Sequence, residues 1–211
     1  MSIKAFIISL FMLSFVSSCG SENDGRKQQK EKRDAPDFKH PAATVLSPLG
    51  TACSVDYRHR FAALNFEADR ATPALLSVIG WAEGLGNCYH YSFTYQPFDS
   101  FARHPGVSYC VRGLCSTAAG RYQFLKSTWE QLASKEKLPS FEPRYQDQGA
   151  LALIRERQIS DYDHAYDFPR FKRAMSFLGP VWASLPGSPY GQATRSLEDA
   201  WQRYQDYLEE P

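Results

Sequence analysis

Residues 75–88 read LLSVIGWAEGLGNC, an apolar run carrying a single acid, Glu83, with glycines directly behind it. Ile79 lies four residues before Glu83, Leu76 seven and Leu75 eight. At helical spacing Glu83 therefore continues the apolar stripe and does not face solvent. Thr72 and Pro73 suit a helix N-cap and first helical position. The helix they open is expected to run to about Glu83, with Gly84 or Gly86 closing it. Partial burial and the negative end of the helix dipole both disfavour a charged carboxylate there. The expected product is an acid still protonated near neutral pH, which is what protonating the leaving oxygen of a glycoside requires. The competing reading is a glutamate that swings out of a frayed last turn, with the glycines serving only as caps.

A second stretch, CSTAAGRYQFLKSTW at 115–129, has small residues, then Gly120, Tyr122 and Gln123, and leads into a helix. Small residues let a polysaccharide approach the backbone. Gln123 can donate and accept toward sugar hydroxyls or N-acetyl groups, and Tyr122 can stack or hydrogen-bond. A plain hairpin before a helix explains the same pattern. Further helices are expected from a capping box Ser127-x-x-Glu130 and over PRYQDQGALALIRERQ (143–158), with Tyr145, Ala150, Leu151 and Ile154 on one side. Others are expected over PRFKRAMSFL (169–178), and after Thr194 with Leu197, Trp201, Tyr204 and Leu208 as its stripe. Residues 89–123, rich in Tyr, Phe, Gly and Pro, read as short strands and turns. The sum is a mostly helical α+β domain with one core and a small early sheet.

The 211-residue chain is long enough for one well-packed domain plus extensions. Its net charge of +1 makes no case for nucleic acid, and no nucleic-acid partner is expected. MSIKAFIISLFMLSFVSSC has one basic residue, an apolar core and small residues, so residues 1–18 read as a secretory signal. VSSC resembles a lipobox, which makes Cys19 a lipid-anchor site and the chain's sole membrane contact; plain secretion is the alternative. Residues 19–50 mix charges with Gln, Gly and Pro and read as a flexible linker, with residues 51–211 as the folded part. Thirty such residues reach roughly 30 Å as a coil. Giving Cys19 to lipid leaves four cysteines of five. The short CVRGLC loop favours Cys110 with Cys115, eased by Gly113, and leaves Cys53 to pair with Cys88. There is no CxxC pair and the five histidines are scattered, so neither metal nor cofactor is implied.

Four blocks in order carry a family resemblance: IGWAEGLGN (79–87), STAAGRYQFLKSTWEQL (116–132), QDQGALALIRERQ (146–158) and VWASLPGSPYGQ (181–192). The chain resembles the phage lambda-type endolysin family over about residues 72–208. The resemblance implies a lysozyme-like fold, with a cleft between a helical lobe and a small β-hairpin lobe. It implies that Glu83 is the catalytic acid and that Ser116, Tyr122, Gln123, Tyr190 and Gln192 border the cleft. Trp182 matches the motif as well, but reads as core. The implied substrate is the peptidoglycan glycan strand, met by a monomer. The implied reaction is that of a lytic transglycosylase, in which one glutamate acts as acid and base and the muramyl 6-hydroxyl attacks C1. A hydrolytic muramidase, its glycan preference tuned to modified or deacetylated wall, would need a second carboxylate; Asp99 is the nearest candidate, though it also reads as a turn residue after Pro97. A non-catalytic glycan-binding lipoprotein is the remaining alternative. Residues 89–114 depart from the family pattern, matching only in Phe98, Phe101, His104 and Pro105, so substrate preference is where the resemblance is weakest.

Overall fold

The computed structural model describes residues 70–157 and 167–209. The expected signal, the linker, Cys19 and Cys53 lie outside them. Among the described residues there are five helices: α1 (Ala71–Ala82), α2 (Lys126–Glu136), α3 (Pro143–Glu156), α4 (Phe168–Leu178) and α5 (Leu197–Glu209). Between α1 and α2 lie two small antiparallel sheets. In the first, β1 (Tyr91–Ser92) pairs with β2 (Gln96–Pro97) across a 3-10 turn, Phe93–Tyr95. In the second, β3 (Tyr109–Val111) pairs with β4 (Leu114–Ser116), Cys110 opposite Cys115. Those two cysteines form the expected disulfide. Arg112 and Gly113 both have positive φ (49° and 82°), the requirement of a tight two-residue hairpin turn.

The core explains why α1 is where it is. Leu75, Leu76, Val78 and Ile79 are fully buried, but so are Ala71, Thr72, Ala74 and Ser77. Every residue of the helix except Trp81 is buried, and α5 and α3 both pack on it. Burial of each large aliphatic side chain contributes about 1.5–3 kcal/mol. The one-stripe reading of this segment is thereby corrected: Glu83 is drawn inward because the whole helix is internal. α3 is similar, with Ala152 and Leu153 buried beside the expected Ala150, Leu151 and Ile154. A ring cluster of Phe98, Phe101, Phe124, Trp129, Phe141 and His104 joins the β lobe to α2 and to the segment just before α3.

Two expected helix starts differ. α1 begins at Ala71 with Arg70 before it, so Thr72 and Pro73 lie inside the first turn. Pro73 is tolerated there because an N–H in that turn has no intrahelical partner. α2 begins after Leu125, and Ser127 and Glu130 make no capping box. The Lys126 N–H instead donates to Thr117 Oγ1 at 3.1 Å, a cap supplied from nine residues earlier.

Candidate active site

Glu83 is the C-cap of α1, its N–H still bonded to the Ile79 carbonyl at 3.0 Å. The chain then folds back tightly. The Leu85 and Gly86 N–H groups both donate to the Gly80 carbonyl at 3.0 Å. A Cβ at position 80 would come within 2.7 Å of both the Gly86 carbonyl oxygen and Arg121 Nε, so only glycine permits this return. Gly84 has φ +81°, and a Cβ there would lie 2.6 Å from the Tyr95 hydroxyl. The glycines behind the acid thus do more than cap: they let the loop and the first β sheet close around it.

Glu83 as a residue is only partly buried, yet its Oε1 is sealed from solvent without a hydrogen-bond partner. Burial raises its pKa from 4.5 to about 7, against the opposing pull of hydrogen bonds from the Ser184 side chain and backbone. Ser184 belongs to the ASLPG stretch, held by the Arg195 N–H donating to its carbonyl at 3.0 Å. Asp99 is exposed, in a bend, and its charge acts on His90.

Behind the acid lies a fully buried polar hub that sequence reading missed. Arg121 uses all five of its N–H donors. Nε donates to the Gly86 carbonyl (2.7 Å), Nη1 to the Tyr89 and Tyr122 hydroxyls (3.0 and 3.1 Å), and Nη2 to Ser77 Oγ and Asn87 Oδ1 (3.2 and 3.0 Å). Both tyrosine hydroxyls donate onward to Asp147 Oδ1, at 2.8 and 2.6 Å, and Asp147 lies 3.7 Å from Arg121 Nη1. The hub ties α1, the loop after Glu83, the AGRYQ turn and α3 together. A lone Arg and a lone Asp in polar stretches gave no local signal of it; their membership of two of the quoted blocks was the available clue.

The expected cleft residues divide. Tyr122 is fully buried, with its hydroxyl in the hub and its carbonyl accepting from Trp182 Nε1 at 3.1 Å, so it faces the interior and does not border a cleft. Trp182 is core, and its bond joins the AGRYQ and WASLPG blocks. Gln123 is half-buried, its Nε2 donating to the Tyr91 and Gly120 carbonyls at 3.2 and 3.0 Å, which braces the turn. Ser116 is half-buried, with Oγ accepting from the Ala118 N–H at 3.1 Å. Tyr190 donates to the Pro180 carbonyl at 2.8 Å, and Gln192 is exposed. Cys88 is disulfide-bonded; its expected partner, Cys53, lies outside the described residues.

An internal helix ending in a sealed acid, a small β lobe beside it and a helical lobe behind define a lysozyme-like α+β fold. Solved structures that match it include bacteriophage lambda lysozyme complexed with a chitohexasaccharide (TM-score 0.62, 27% identity) and lysozyme from bacteriophage lambda (TM-score 0.59, 25% identity). Each match covers 67% of this chain and 96% of the other. The Endolysin family model matches residues 73–209, and the chain belongs to that family. It is 47% identical to the endolysin of Escherichia phage P2 over 94 residues, 44% of this chain and 55% of that one. It is 31% identical to the endolysin of Escherichia phage lambda over 135 residues, 60% of this chain and 84% of that one. The chain thus spans little more than half the length of the phage P2 relative.

Proposed function

We propose that the protein cleaves the β-1,4 bond between N-acetylmuramic acid and N-acetylglucosamine in peptidoglycan, as a lytic transglycosylase. The observation that carries this is Glu83, an acid at the end of an internal helix with one oxygen sealed from solvent, whose pKa burial raises to about 7. Glu83 donates its proton to the bridging oxygen as the C1–O bond breaks. The muramyl 6-hydroxyl then attacks C1 and returns its proton to Glu83, closing a 1,6-anhydro ring. Retaining hydrolysis needs a carboxylate partner about 5.5 Å away, and an exposed Asp99 that acts on His90 is a poor one. Export by the N-terminal signal, with anchoring at Cys19, would deliver the domain to the wall.

Digestion of isolated peptidoglycan with mass spectrometry of the products tests the reading. Anhydro ends, lighter by one water than reducing ends, are expected, and the Glu83→Gln variant should release neither. Reducing ends alone would assign a hydrolase; undiminished release by the variant would remove Glu83 from the chemistry.

A further inference from the structure

Tyr95 sits at the tip of the first β sheet, in the 3-10 turn, and is 41% exposed. It stands outside the hydrophobic core cluster, on a backbone of unusual geometry. Thr94 and Tyr95 are consecutive non-glycine residues in the left-handed region, with φ 63° and 59°. Such conformations persist only where the surroundings enforce them. Here β3 packs on the turn, and the Phe93 N–H donates to the Ala118 carbonyl at 2.7 Å. The result carries the Tyr95 hydroxyl across Gly84, the residue next to Glu83, where any side chain at 84 would collide with it. Tyrosine offers a flat apolar face with a polar tip, a combination suited to the C–H face and hydroxyls of a pyranose.

We propose that Tyr95 is a substrate-contacting residue, packing its ring on the sugar that lies over Glu83 and hydrogen-bonding that sugar through its hydroxyl. This deepens the glycan-cleaving reading and rests on it. Two variants separate contact from scaffolding. Tyr95→Gly removes the ring and relieves the positive φ; assayed at a temperature where it is folded by circular dichroism, its kcat/KM on peptidoglycan should drop about tenfold or more. Tyr95→Phe keeps the ring and loses one hydrogen bond, worth roughly three- to tenfold. Binding of a chitohexasaccharide, measured calorimetrically in the Glu83→Gln background, gives a readout free of catalysis. Adding Tyr95→Gly should raise Kd about tenfold. If wild type cleaves nothing but the Kd still rises, the proposed reaction fails while the Tyr95 contact stands. Unchanged Kd, or no binding by either protein, overturns the contact.

Discussion

An ionised carboxylate at Glu83 would have one oxygen in a site closed to water, and the fold therefore prefers the acid. The folded pKa of about 7 exceeds the unfolded 4.5. A raised carboxyl contributes stability that is fully present below the unfolded value and lost as pH rises through the folded one. The window is thus pH 4.5 to 7, and at 1.36 kcal/mol per unit the loss above it is about 3 kcal/mol. Glu83→Gln has no proton to lose. It should match wild type in urea unfolding near pH 4 and exceed it by about 3 kcal/mol near pH 9; parallel pH curves would mean a hydrated carboxylate. Activity should follow the same proton, falling as pH rises past about 7, with a pH–rate profile as the check. The inward setting of Glu83 was legible in LLSVIGWAEGLGNC, where it continues an apolar run; its role was not, since a glutamate in a frayed last turn reads the same. Tyr95 was not, because its value lies in two unusual φ angles and a neighbour eleven residues away.

The β lobe shows what element-level reading captures and misses. Turn chemistry at Arg112–Gly113 and the paired cysteines made the second hairpin readable. The caps were not, since Thr117 replaces the Ser127 box through a contact no local window contains. α4 is the reverse case: Asp167 caps it by accepting from the Arg170 N–H at 2.9 Å, directly before Phe-Pro, a local signal that was present. The lobe's anchor is His104. Its Nε2 faces the Phe124 carbonyl at 2.8 Å, and its Nδ1 accepts from the Gly106 N–H at 3.0 Å, which fixes the neutral Nε2–H form. Burial lowers its pKa, more than the Phe124 carbonyl and Glu130 raise it. A depressed histidine contributes stability that is present above about 6.5 and lost as pH falls, opposite in sign to Glu83. Hydrogen exchange should show amides of residues 104–126 opening first on acidification from pH 7 to 5. His104→Gln should flatten that response, and an unaltered response would put the acid sensitivity elsewhere. Gly84→Ala acts on the neighbouring sheet. It meets both a positive φ and the Tyr95 hydroxyl, so it should cost at least about 1 kcal/mol by thermal unfolding and displace the turn carrying Tyr95.

For the molecule as a whole, the α+β class and the order of blocks were legible because helix periodicity and short motifs survive in one dimension. The assembly was not. Arg121 and Asp147 are twenty-six positions apart in stretches of ordinary surface composition, yet both are fully buried. That burial also explains why Tyr122, expected at the cleft, serves instead as a relay between them. A buried pair of this kind adds little relative to apolar packing, but losing one partner leaves the other charge stranded, at about 3–5 kcal/mol. Asp147→Asn keeps an oxygen for the tyrosine hydroxyls and removes only the charge, so its unfolding free energy should fall by that amount. The damage should also travel, because the same guanidinium holds the Gly86 carbonyl and Asn87 in the loop that returns from Glu83. At a temperature where the variant is still folded by circular dichroism, kcat should drop while the KM set by Tyr95 and the sugar contacts changes less. A variant with wild-type stability would mean that Arg121 is balanced by the tyrosines alone, and that the acid's niche stands without its counter-charge.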